Sequence, residues 1–351
     1  MRSELLLGFL VAGTILLCIV LTVFFSAIAV VVRARNTRRA RHRSNLEDRW
    51  EPAVMELLDG ARTPASVQSL VRERDALLFV EYVSRFARRV RGMERDLLAE
   101  LVTPWLPRLA QRLTHRDEAT RARAVQTISL LALGGYAGAL VRALDDRSPL
   151  VAMAAARALA RRERTEFAPQ VLRRLPRFTR WRPGFVSAML TEMGPGAVPD
   201  LLAAFADPAQ PAEVRAIVAD ALNALHVLEA ADIAAGLLGP ERNRDLVAAA
   251  LRLLRDLGGG RPEHVAAVRA LLTSPDEMVR TAAIAAFGAL ASPAELEQLI
   301  PALQDPSRWA ALEAARALRS LRNGAELRAL AHRGADHPHA DLAAEVLAES
   351  A

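Results

Sequence analysis

The sequence predicts an all-α fold: a right-handed α-solenoid of about eight helix pairs, preceded by a transmembrane helix and an irregular helical cap. Three observations predict it. Of the 351 residues, 52% are hydrophobic and only 5% aromatic. Ala and Leu carry the apolar share, and both favour helix over strand. Apolar stretches of helical period recur along the chain at a repeat of about 31 residues. The corners between them carry Pro beside Asp or Ser, a combination that stops one helix and starts the next.

The first element is an uncharged run of 28 residues, Leu5–Val32. A bilayer core of roughly 30 Å needs about 20 helical residues, so a transmembrane helix is expected over residues 5–32. A cleaved signal peptide would have a shorter apolar region with positive charge before it, not after it. The lone Cys18 excludes an internal disulfide framework, and Leu17 before it does not suit a lipoprotein anchor. An Arg-rich collar follows at residues 33–45, with Arg33, Arg35, Arg38, Arg39, Arg41 and Arg43 as candidate contacts to anionic lipid head groups. Positive charge after the apolar run orients it with the N-terminus out. The expectation is a single-pass inner-membrane protein with its C-terminal solenoid in the cytoplasm.

All 46 basic residues are Arg. The net charge of +6 is unevenly spread: residues 44–182 hold 25 Arg against 17 acids, and residues 183–351 hold 14 Arg against 22 acids. The chain is therefore basic in its first half and acidic in its second. Residues 46–103 do not follow the repeat. They read as a short helix over Leu46–Leu58, a turn at Gly60–Pro64, a longer helix to about Val90 and a further one over Met93–Val102. This is the expected cap, which covers the open face of a repeat array. A basic stripe, Arg85, Arg88, Arg89, Arg91 and Arg95, lies near its end.

The repeat array occupies residues 104–351, with units starting near Trp105, Tyr136, Phe167, Ala197, Ala231, Glu263, Ala294 and Ala325. Each opens with an apolar helix such as AVPDLLAAFADP and closes with an Ala-rich one such as VRTAAIAAFGAL. Pro149, Pro208, Pro275, Pro306 and Pro338 mark the turns. Small Ala side chains on the second helices let neighbouring pairs stack closely. This pattern resembles HEAT repeats, in particular the short bacterial form also seen in bilin-lyase-type proteins, so the eight pairs are expected to be HEAT-like. The resemblance implies a ladder of corner Asp and second-helix Arg residues, here Asp145 or Asp146, Asp207 and Asp305 with Arg121, Arg215 and Arg280. Ala152, Ala310 and Asp341 stand at the Arg position elsewhere, so the ladder is incomplete. It also implies that the second helices line the concave side. Activity is not implied, since such scaffolds serve many unrelated functions.

The third unit departs most from its neighbours. There Arg173, Arg174, Arg177, Arg180 and Arg182 interleave with Phe178 and Trp181, a composition able to hold an anionic partner. His332, Asp336, His337, His339 and Asp341 cluster near the C-terminus, but their spacing fits no metal motif. His115, His226 and His264 are isolated, and Gly258–Gly260 closes a helix instead of cradling a phosphate. No catalytic group and no cofactor are expected. The function these readings give is a membrane-anchored scaffold binding an unidentified, membrane-associated protein partner, such as an accessory subunit of an envelope polysaccharide glycosyltransferase. The alternatives are anionic-lipid or nucleic-acid binding through the basic half, with nucleic acid less favoured, and a bilin-lyase-like enzyme, for which the acid, Cys or Trp-Asp groupings are not found.

Overall fold

The structure, a computed structural model, describes the backbone of residues 2–131, 133–239, 243–319, 324–332 and 340–349. The side chains of residues 2–20, 32, 36, 39, 133, 162 and 163 are outside the description. The described residues are helical or irregular, without strands. The chain divides into two units, residues 1–136 and 137–351.

The first unit begins with α1 (Arg2–Leu58), one helix that takes in the apolar run, the collar and the first segment of the expected cap, with Pro52 inside it. The expectation of a single-pass inner-membrane protein with its N-terminus out is corrected. Among the described residues, no helix is long and apolar enough to cross a membrane. Within the uncharged run, side chains are described over Leu21–Val31.

The helices that follow are α2 (Pro64–Gln68), α3 (Ala76–Ala87), α4 (Met93–Val102), α5 (Leu106–Gln111) and α6 (Glu118–Leu131). The long helix expected up to Val90 is interrupted before α3 by a 3-10 turn at Glu73–Asp75. Aromatic rings hold this unit together. Trp50 of α1 meets Phe79 of α3 edge-on at 5.1 Å, and Phe79 meets Trp105 in the same way at 5.5 Å. Burial pushes the Tyr82 phenol in this cluster up to about 12. Arg43 and Arg85 both pair with Glu47, at 2.8 and 2.5 Å, tying α3 to α1.

The second unit takes up α7 (Leu133–Ala143), which crosses its boundary, and continues as helix pairs. These are α7 with α8 (Pro149–Leu159), α9 (Ala168–Leu172) with α10 (Pro183–Thr191), and α11 (Val198–Ala206) with α12 (Ala212–Ala224). Then come α13 (Ala230–Leu237) with α14 (Arg244–Leu257) and α15 (Pro262–Arg269) with α16 (Glu277–Leu290). The last are α17 (Pro293–Leu296), prolonged by a 3-10 turn over Glu297–Gln304, with α18 (Arg308–Leu318), and α19 (Ala325–Ala331) with α20 (Ala340–Ala348). The expected repeat starts fall within three residues of the starts of α5, α7, α9, α11, α13, α15, α17 and α19.

Two layers result. Second helices stack on second helices, α10 on α12, α12 on α14, α14 on α16, α16 on α18 and α18 on α20, while α11, α13 and α15 form the other layer. α14 is deeply packed, with Leu246–Leu251 and Leu253–Leu254 buried. Prolines enter the corners in two ways. Pro149, Pro183 and Pro262 sit at the first helical position, where a missing N–H costs nothing. Pro275 and Pro306 instead stand one residue before the capping residues Asp276 and Ser307. Pro338 lies outside the described residues.

Candidate functional site

The N-termini of α14, α16 and α18 are fixed by side-chain caps, whereas α12 starts after Pro211 without one. The Asn243 side chain accepts from the N–H groups of Asp245 and Leu246, and Asp276 accepts from those of Met278 and Val279. Ser307 caps α18 through Ala310. Such caps satisfy donors that a helix start would otherwise leave open. Counted from the N-cap residues Pro211, Asn243, Asp276 and Ser307, the four helices α12, α14, α16 and α18 share one register. Two past the cap stand Glu213, Asp245, Met278 and Trp309, on four successive second helices.

These four residues line two adjoining grooves of about 570 and 500 Å³ on the second-helix layer. The grooves share Ala248, Arg252 and Met278. Their floor is small-sided: Ala216, Ala248, Ala282 and Ala285 keep it open. Trp309 is 67% exposed and Met278 39%, both large apolar side chains presented to solvent in a concave setting. Exposed Trp and Met in a groove are the residue types on which protein partners anchor. Arg252 spans two helices to Asp220 at 2.8 Å, and Ser307 donates to Glu277 at 2.6 Å.

Sequence reading did not single out Met278 and Trp309. The available signal was Trp309 at a corner in an aromatic-poor chain, and its neighbours in the repeat register give it meaning only once the caps are located.

The Arg-aromatic corner of the third unit is divided by the structure. Arg174 makes a bidentate pair with Asp145, at 2.6 to 2.9 Å, and this bond holds the Asp145 carboxyl below the usual range. Arg177 donates to the Asp146 carbonyl at 2.8 Å. Both therefore fasten the corner to the preceding one. Phe178 is buried, and Trp181 is half-buried with its ring 5.9 Å from Phe185. Arg173, Arg180 and Arg182 are exposed and, among the described residues, make no ion pair. The corner adjoins the groove, since Thr179 and Pro183 line its end.

Along α1, Arg33, Arg35, Arg38 and Arg41 are exposed, Arg43 is bound to Glu47, and the Arg39 side chain lies outside the described ones. The second basic stripe does not lie on one helix: α3 ends at Ala87, Arg85 pairs with Glu47, and Arg95 donates to the Leu130 carbonyl. Asp336, His337 and His339 are outside the described residues. Among the described ones no group of three or more His, Cys, Asp or Glu residues is placed to hold a metal.

The repeat ladder is realised at Arg280, which pairs with both carboxylate oxygens of Asp305 at 2.7 and 3.0 Å and donates to the Ser274 carbonyl at 2.6 Å. The other two expected arginines also donate to corner carbonyls, Arg121 to that of His115 at 2.8 Å and Arg215 to that of Phe205 at 2.9 Å.

Comparison with known proteins agrees with the helix pairing. A family model described as HEAT repeats matches residues 237–319 and 265–350. The second unit is an α-solenoid of stacked helix pairs, HEAT-like over residues 237–350. No curated protein matches the chain. Among solved structures, an engineered protein from the Northeast Structural Genomics Consortium is 17% identical, with a TM-score of 0.38, over 80% of this chain and 87% of that one. A second engineered protein from the same consortium is 21% identical, with a TM-score of 0.32, over 62% and 97%. A designed armadillo repeat protein is 19% identical, with a TM-score of 0.29, over 53% and 99%. At TM-scores below 0.5 they add nothing to the assignment, which rests on the paired helices and the repeat match.

Proposed function

We propose that this protein is a binding scaffold, without catalysis of its own, that receives a protein partner in the groove formed by α12, α14, α16 and α18. The observation that carries the reading is the pair Met278 and Trp309, exposed on a concave surface floored by alanines. An isolated exposed apolar residue needs no explanation, but two large ones side by side in a groove mark an interaction site. The fold class supports it as well, because stacked repeats present extended concave surfaces suited to protein partners.

The test is site-specific photo-crosslinking in cells. A crosslinking residue at position 278 is expected to yield discrete protein adducts that Trp309→Ala removes. The same residue at position 228, where Leu228 is exposed outside the groove, is expected not to yield them. Equal adducts from both positions, or none from 278, would overturn the reading.

A further inference from the structure

The groove carries a charge pattern as well as an apolar one. Six carboxylates line its two parts against three arginines. Several of these charges are already engaged. Asp220 binds Arg252, Glu277 accepts from Ser307, Glu313 lies 3.2 Å from Arg316, and Arg255 pairs with Asp256 outside the groove. Arg244 stands 3.9 Å from both Asp245 and Asp276, an exposed ion pair shared between the two carboxylates, with its own side chain 67% exposed. Glu213 makes no ion pair among the described residues and is exposed. The lining is thus net negative; at its α12–α14 end the carboxylates are Glu213, Asp245 beside the exposed Arg244, and Asp220 bound by Arg252.

Position in the repeat register separates the two features. Glu213 and Asp245 occupy the same position on α12 and α14 that Met278 and Trp309 occupy on α16 and α18. Packed helices lie about 8–10 Å apart, so the acidic pair and the apolar pair are separated by two spacings, about 16–20 Å. An extended peptide covers that distance in about five or six residues. Arg180 and Arg182 lie beyond Pro183 at the acidic end, outside the groove lining, and would repel a basic chain running further.

We infer that the occupant of the groove is an extended basic peptide segment, with its Lys or Arg residues against Glu213 and Asp245 and a bulky apolar side chain about five or six residues away against Met278 and Trp309. This deepens the scaffold reading and rests on it. Rim carboxylates select the sign and register of the partner, and the apolar pair supplies its anchor.

The experiment is selection of random twelve-residue displayed peptides on the immobilised full chain, followed by binding of the enriched peptides to variants. The expected result is enrichment of basic residues about five or six positions from an aromatic or aliphatic one. Glu213→Lys with Asp245→Lys is expected to weaken those peptides about tenfold. Trp309→Ala is expected to abolish them, and Arg180→Glu with Arg182→Glu to leave them bound. Enrichment of acidic or uncharged peptides, no enrichment, or unchanged binding to the Glu213 and Asp245 double variant would overturn the inference. Crosslinking at position 278 separates the two ideas: captured protein with a neutral or acidic contact segment retains the scaffold and removes only the basic-peptide assignment.

Discussion

Arg280 and Asp305 show what a single corner contributes. Their side chains are only 16% and 9% exposed, and the guanidinium is held by a carbonyl as well as by the carboxylate. Removing one partner strands a charge with little water around it. Asp305→Ala is therefore expected to cost about 3 kcal/mol in urea denaturation, whereas Arg280→Met with Asp305→Leu should cost much less than that. A second residue-scale device sits at Asp232, which accepts from Arg261 at 2.5 Å and faces the buried His264 ring at 2.9 Å. The Arg261 bond, followed by the His264 one, holds its carboxyl below the usual range. A carboxyl depressed in the folded state stabilises above its unfolded value of about 3.9, and that stability is lost as pH falls through the folded value. Melting followed from pH 7 to pH 3 should thus show wild type above Asp232→Asn at neutrality, with the gap closing in acid.

At the scale of the element, the second helices are set by close approach. A Cβ built on Gly288 of α16 would meet the Cβ of Ala317 of α18 at 2.5 Å, well inside contact. In a free helix, Gly→Ala stabilises by up to about 1 kcal/mol. Here the two facing helices leave no room, so Gly288→Ala is expected to destabilise by about 1–3 kcal/mol. Ala317→Gly should recover part of the loss, both read from thermal melts. The sign of the effect distinguishes a packing glycine from a helix-weakening one. The same close stacking gives the groove its shallow Ala floor, on which Met278 and Trp309 stand out.

At the scale of the molecule, the second unit is held by packing between neighbours. Each pair buries its apolar face only when the next pair covers it. A chain ending at residue 319, without α19 and α20, uncovers α18, on which α20 packs. It is expected to keep the helicity of the remaining pairs while its urea midpoint and m-value both fall, since less surface is exposed on unfolding. The repeat architecture was legible in the sequence because apolar period and Pro corners are local signals. The Arg173–Arg182 corner was legible as a departure from the repeat, but its internal division was not. Arg174 and Arg177 meet Asp145 and the Asp146 carbonyl across 29 and 31 residues, a pairing that composition does not reveal. The charge run at Arg33–Arg43 was visible too, yet nothing in it distinguished exposed Arg41 from Arg43, which Glu47 engages.

By itself the sequence determined that this protein is helical, that its helices come in pairs about 31 residues apart, and that its second half is acidic. Those properties follow from residue type and spacing along the chain. Tertiary structure alone decided the groove. Glu213, Asp245, Met278 and Trp309 line one pair of adjoining grooves because α12, α14, α16 and α18 stack side by side. Alignment of that kind depends on packing between helices, and no single segment of the sequence contains it.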